Sequence, residues 1–472
     1  MDLEALLLAR LQFAFTIGWH IIFPSFTIGL ASFLAVLEGA WLVTKRDVFK
    51  TLYLFWVKIF ALSFGMGVVS GVVMSYQFGA NWSVFATQTG PVLGPLLGFE
   101  VLTAFFLEAS FLGVMLFGWK KVGPGLHFAA TALVAGGTLV SAFWILSANS
   151  WMQFPTGFGH DASGRMVALD WLQVIFSPTF PSRFAHMVLA AYLTTSLVVG
   201  AASAWALLKR PDQPESRLAL RMAIGMFAVV APLQLVVGDI SGDVAARYQP
   251  SKLAAIEAFW ETKAGQAFHI VAWPDRQAET NRWEVSIPKL GSLIVAKDAN
   301  AEVKGLKAFA KEDRPPVGLV FWAFRVMVGL GLLMIALGFW GAWLWWRGGG
   351  PERSRTYLRF AVAMGPAGFV AVIAGWMVAE IGRQPWVVFG VMRTASAASP
   401  VHAGTVSASL LMFLAVYAIV FSVGALYILR LIAQGPAAVA AEPALAGPRA
   451  PGSALAAAPD ADAGLVSRES DR

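Results

Sequence analysis

Nine apolar runs, each long enough to cross roughly 30 Å of hydrocarbon as a helix, dominate this sequence. They fall at about residues 12–43, 52–77, 93–118, 125–149, 184–208, 219–238, 317–346, 358–382 and 402–431. A backbone in lipid must satisfy its own hydrogen bonds, and continuous apolar runs do so as helices. The expected fold is an all-α integral membrane protein, and the composition agrees: 57% of the 472 residues are hydrophobic and 13% charged.

The basic residues of the short loops give these spans a direction. Lys45, Arg46, Lys50, Lys120, Lys121, Lys209, Arg210, Arg217, Arg221, Arg347, Arg353, Arg355, Arg359 and Arg430 gather on one side. The other side has Arg10, Arg165, Arg183, Arg383 and Arg393. The richer side is expected to be cytoplasmic, which puts the N-terminus outside, facing the periplasm, and the C-terminus inside. Residues 1–238 then hold spans 1 to 6, 239–316 a polar outer loop, and 317–433 spans 7 to 9. Residues 434–472, rich in Ala and Pro, are expected to be a disordered cytoplasmic tail. Met1 to Arg10 carries Asp2 and Glu4 and no cationic segment, so no cleavable signal is expected. The formal charge of +7 belongs mostly to cytoplasmic loops and does not indicate nucleic acid.

Cysteine is absent, which excludes disulfides, thiolate-held iron–sulfur clusters and thiolate or covalently attached haem. Any electron carrier must be held by His, Met, carboxylate or Tyr. Such residues occur inside the spans, where a charge costs a few kcal/mol on insertion scales and marks function. Glu380 ends span 8 in the run Gly375-Trp376-Met377-Val378-Ala379-Glu380-Ile381-Gly382-Arg383-Gln384-Pro385-Trp386. His20 lies in span 1 four residues before Pro24, whose ring should kink the helix beside the imidazole. An ordinary histidine bonded to a neighbouring helix fits His20 equally well.

His186, at the outer start of span 5, and Met327, in span 7, are a natural pair for a six-coordinate, low-spin electron-transfer haem. Arg325, two residues before Met327, needs a buried anion, and a haem propionate would serve. Glu100 and Glu108 lie just over two turns apart on span 3, about 12 Å along the axis and within about 80° of one face. That spacing suits a proton relay, which Ser110, Ser141, Ser147 and Asn149 extend. Lys252 and Glu257 sit on a short amphipathic helix with Leu253, Ile256 and Trp260, expected at the membrane surface; it fits a quinol head group or an ordinary surface helix. His127, His402, His160 and His269 suggest no partner, and Glu38 and Lys58 read as snorkelling side chains.

In this order, Gly18-Trp19-His20, Gly98-Phe99-Glu100 through Glu108, Arg183-Phe184-Ala185-His186-Met187, Lys252 through Glu257, Phe324-Arg325-Val326-Met327 and Gly375 through Trp386 resemble subunit I of the cytochrome bd family of quinol oxidases. The resemblance implies three haems: a low-spin b haem on His186 and Met327, supported by Arg325, and two more with His20 and Glu380 as axial ligands. One of these is a second b haem; the third is d-type, or b-type as in the cyanide-insensitive branch, which the short outer loop resembles. It places Trp376 and Arg383 beside the cofactors, Lys252 and Glu257 at the quinol in the outer loop, and Glu100, Glu108 and Ser141 on haem-site and proton duties. It also implies a second subunit in a heterodimer, a small one-helix accessory, and the bacterial inner membrane. The expected reaction oxidises quinol outside and reduces dioxygen to water with cytoplasmic protons, building a potential without a pump. The residues alone leave other readings: a haem-free secondary transporter, an inert structural subunit, or a haem quinol dehydrogenase with another acceptor.

Overall fold

A computed structural model describes residues 3–441. Among them, nine helices are long and apolar enough to cross a membrane: Leu3–Thr44, Asp47–Ala80, Ser83–Phe117, Pro124–Gln153, Phe180–Lys209, Pro214–Tyr248, Lys311–Trp346, Arg355–Ile381 and Ala403–Gln434. These are spans 1 to 9. Linkers as short as residues 45–46 and 81–82 turn consecutive spans back on one another, so the bundle has two ends. Loops 45–46, 118–123, 210–213 and 347–354 occupy the basic end; loops 154–179, 249–310 and 382–402 occupy the opposite one.

Most spans outrun their apolar stretch because a helix need not stop where the hydrocarbon does; the continuous helix of span 7, Val317–Trp346, coincides with its stretch. Span 1 passes through Pro24 as one helix from Leu3 to Thr44. Span 6 continues to Tyr248, so residues 239–248, expected in the loop, are helical. Span 3 has a π-helical turn at Val101–Phe105, between Glu100 and Glu108. The wider turn takes up an extra residue and changes the phase between the two acids from that of an ideal helix.

The largest core lies where spans 1, 2, 5 and 6 meet, around Leu30, Leu34, Tyr53, Trp56, Phe60 and Phe227. A second, around Trp82, Trp151 and Val388, lies toward the opposite end. Spans 3 and 9 are the least covered: 17% and 11% of their most apolar windows are buried. Span 9 leaves Leu411, Ile419, Val423 and Leu426 exposed, surface that only lipid or another protein can cover.

The 249–310 loop is folded. It contains a short helix, Pro250–Glu257, and an antiparallel hairpin of Phe268–Asp275 with Thr280–Ile287. Asp275 closes the hairpin turn by accepting from the backbone N–H groups of Gln277 and Ala278 at 2.9 and 3.0 Å. At the basic end the chain does not fray after span 9. Residues Pro436–Ala441 form a helix against span 2, with Val439 buried and its carbonyl accepting from Lys58 Nζ at 2.7 Å. The expected disorder therefore does not begin at 434, and 442–472 lie outside the described residues.

Candidate functional site

Spans 4, 5 and 8 and the Pro250–Glu257 helix converge at the end opposite the basic loops. Asn149 and Gln153, one turn apart on span 4, donate to Glu380 Oε1 at 3.0 and 3.1 Å. Arg383 holds Glu380 Oε2, and Arg183 from span 5 donates to Asn149 Oδ1. Lys252 completes the group: its Nζ donates to Gln153 Oε1 at 2.5 Å and to Gln249 Oε1 at 2.6 Å. Trp376 is half-buried one turn before Glu380.

This geometry corrects the surface reading of the Lys252 helix. All residues from Ser251 to Glu257 are buried, because spans 6, 7 and 8 and the loop pack around the helix. Burial, and after it the neighbouring Arg183 guanidinium, push the Lys252 ammonium well below its ordinary range, while Glu380 opposes the shift. Lys252 and Glu257 also face different partners. Lys252 joins the Glu380 cluster, whereas Glu257 Oε2 accepts from Arg325 Nη2 at 2.7 Å. Arg325 thus finds its anion within the chain; its Nε donates to the His269 carbonyl at 2.8 Å.

The two expected histidine ligands each have a polar side chain beside them. His20 Nδ1 lies 3.0 Å from Ser70 Oγ. The Ser70 hydroxyl hydrogen is directed at the Met66 and Gly67 carbonyls, so Oγ accepts from Nδ1–H and leaves the Nε2 lone pair available for a metal. His186 Nε2 lies 3.1 Å from Gln234 Nε2 of span 6, and its Nδ1 is buried without a partner.

Glycines flank both histidines and Met327. A Cβ on Gly71 would lie 3.2 Å from His20 Cε1, one on Gly238 3.4 Å from His186 Cε1, and one on Gly375 2.9 Å from Met327 Sδ. Each of the three therefore packs closely against side-chain-free backbone on the facing helix, and a larger residue there would press on it.

The donor set fits a haem. Arg183 Nε, Arg325 Nη1, and Arg383 Nε and Nη1 are buried donors without protein acceptors. Around Glu380 two guanidiniums, Arg183 and Arg383, face a single carboxylate, with the Lys252 amine beside them. Buried charge is normally balanced, so the excess points to an anion, as the carboxylates of a haem would supply. No group of three or more His, Cys, Asp or Glu that would hold a bare metal ion occurs among the described residues.

The relay acids stand apart. Glu100 Oε1 accepts from Ser141 Oγ at 2.7 Å. Glu108 is buried against Gly137 with Oε1 unpartnered. Ser147 donates instead to the Ile175 carbonyl, Ser110 to the Phe106 carbonyl of its own helix, and Asn149 serves the Glu380 cluster. Gln153, Gln249 and Gln234 escaped the sequence reading. Their one signal was a neutral amide where the surrounding run is apolar or sealed.

A family model described as cytochrome bd terminal oxidase subunit I matches residues 8–436. The chain is 32% identical to cytochrome bd-II ubiquinol oxidase subunit 1 of Escherichia coli (strain K12), over 92% of this chain and 98% of the relative. It is 36% identical to cytochrome bd ubiquinol oxidase subunit 1 of Bacillus subtilis (strain 168), over 92% and 94%. Its fold superposes on a chain of the bd oxidase from Geobacillus thermodenitrificans with a TM-score of 0.84 and 28% identity, covering 92% of this chain and 99% of that one.

Proposed function

The chain belongs to the cytochrome bd terminal oxidase subunit I family, and from that premise we propose how its residues divide the work of a quinol oxidase. It is a haem-binding, multi-pass membrane subunit that acts with a partner subunit.

In our reading His186 and Met327 would hold a low-spin b haem, and the free Nη1 of Arg325 would take one of its carboxylates. His20 and Glu380 would hold two further haems, one b-type and one d- or b-type, with Trp376 beside them and the spare donors of Arg183 and Arg383 free to receive their anionic groups. When bound, these haems carry electrons from quinol to dioxygen. Glu257 and Lys252 form the inner wall of the quinol site in the 249–310 loop. Ser70 fixes the tautomer of His20. Asn149 and Gln153 hold Glu380 in its orientation.

The basic end faces the cytoplasm of a bacterial inner membrane, so quinol protons leave on the far side. Glu100, Glu108 and Ser141 bring protons for water formation from the cytoplasm, and that separation of charge builds a potential without a pump. Spans 3 and 9, with their uncovered apolar faces, receive the second subunit in a heterodimer, with room for a one-helix accessory.

The observation that carries this reading is the set of buried, unpartnered nitrogens on Arg183, His186, Arg325 and Arg383. Reduced-minus-oxidised spectra of the purified complex test it. His186→Ala and Met327→Ala should each abolish the low-spin b band and quinol-driven oxygen consumption. Intact absorbance in both variants would overturn it, and the presence or absence of a red band assigns the third haem.

A further inference from the structure

In the half of the bundle nearer the basic loops, far from the Glu380 cluster, Glu38 of span 1 and His127 of span 4 form a sealed acid–base pair. His127 Nδ1 lies 2.6 Å from Glu38 Oε1, and the side chains are 1% and 0% exposed. Glu38 therefore does not snorkel, and His127, for which the sequence suggested no partner, has one. Thr131, one turn on from His127, donates to Glu38 Oε2 at 2.6 Å, and Tyr53 OH stands 3.0 Å from the Thr131 hydroxyl.

Three features set this group apart from ordinary helix–helix bonding. His127 Nε2 is buried without a partner. It belongs to the ring side that faces the end of span 3, where a Cβ on Gly118 would come 3.1 Å from His127 Cδ2. Lys120 and Lys121 are exposed in the adjoining loop. Finally, His127, Thr131, Thr138 and Ser141 fall within about 80° of one face of span 4, next to Gly137, on which Glu108 packs. A polar line thus leads from the basic end to the relay acids.

We propose that Glu38 and His127 admit protons to this subunit on their way to Glu108. The inference rests on the reading above that Glu108 conveys protons for oxygen reduction. A proton taken up at Nε2 lets Nδ1–H pass to Glu38 Oε1; only N–H and O–H bonds change, and the pair ends neutral as carboxylic acid and imidazole. A neutral product suits this depth, where a lone carboxylate would be costly. Thr131 and Tyr53 orient the acid. The remaining rise from Thr131 to Gly137, about 9 Å along span 4, is covered by Thr138 and bridging water.

The test uses the purified complex with its partner subunit, in liposomes. Glu38→Gln and His127→Gln should each slow quinol-driven oxygen consumption and proton uptake about ten-fold or more, within the usual scale of proton-transfer defects. Haem absorbance and anaerobic haem reduction by quinol should stay at parent values, and Glu38→Asp should restore part of the rate. A spectrally intact Glu38→Gln complex working at the parent rate while Glu108→Gln is slow would overturn the inference and leave the wider reading standing. Parent rates in both would remove the two together. If Glu38→Gln does not assemble, Thr131→Val decides: slowed proton uptake supports the pair, and a parent rate overturns it.

Discussion

Glu257 and Arg325 are joined by a 2.7 Å hydrogen bond between side chains that are 5% and 9% exposed. The pair links the folded outer loop to span 7 two residues from Met327. Removing one member of such a pair leaves a buried charge without its counterpart. Arg325→Gln should therefore destabilise the complex by about 3–5 kcal/mol and weaken the low-spin haem signal. The double variant Glu257→Gln with Arg325→Gln should recover part of the stability but none of the haem signal, read by thermal unfolding and by spectra.

Gly375→Ala places a methyl 2.9 Å from Met327 Sδ, closer than carbon and sulfur tolerate. The thioether has to move, at a cost of about 1–3 kcal/mol, and the reduced low-spin band should shift or split. Gly238→Ala, with 3.4 Å to His186 Cε1, should do far less. Equal spectra in the two variants would detach Met327 from the haem.

Lys252 reaches Gln153, and Gln153 reaches Glu380, so the lysine should act partly through the carboxylate. Lys252→Met should alter the absorbance feature that Glu380→Gln removes, and Gln153→Leu should reproduce the change. An unaltered spectrum with only a several-fold higher quinol KM would restrict Lys252 to contact with substrate.

Burial holds the His269 imidazole below its ordinary range, and Glu284 only partly offsets this. The folded loop then binds fewer protons than the unfolded one once the pH falls beneath about 6.5, so its stability declines with acidification through that window and is complete above it. Limited proteolysis of the 249–310 loop should accelerate between pH 7.5 and pH 5.5. His269→Gln should flatten the dependence.

The spans were legible because hydropathy is a property of consecutive residues, and Glu380 and His186 stood out as candidates because each is polar within an apolar run. What joins spans was not legible. Glu38 and His127 are 89 residues apart, and nothing in either neighbourhood names the other. Lys252 misled because an amphipathic pattern reports one apolar face, whereas here the polar face is covered as well, by Gln153 and Arg325. In the hairpin of 268–287 the strand Thr280–Ile287 alternates Trp283, Val285 and Ile287 with polar residues, a pattern that averages out in mean hydropathy. The phase of Glu100 and Glu108 depends on a π turn that no composition announces.

The two-turn helix Pro250–Glu257 meets a different cluster at each end, and neither Lys252 nor Glu257 is open to solvent. A small molecule seeking either side chain must first displace an amide or a guanidinium already in place. On the reading proposed above, quinol meets these side chains only after the loop around them has given way, so loop opening precedes each turnover.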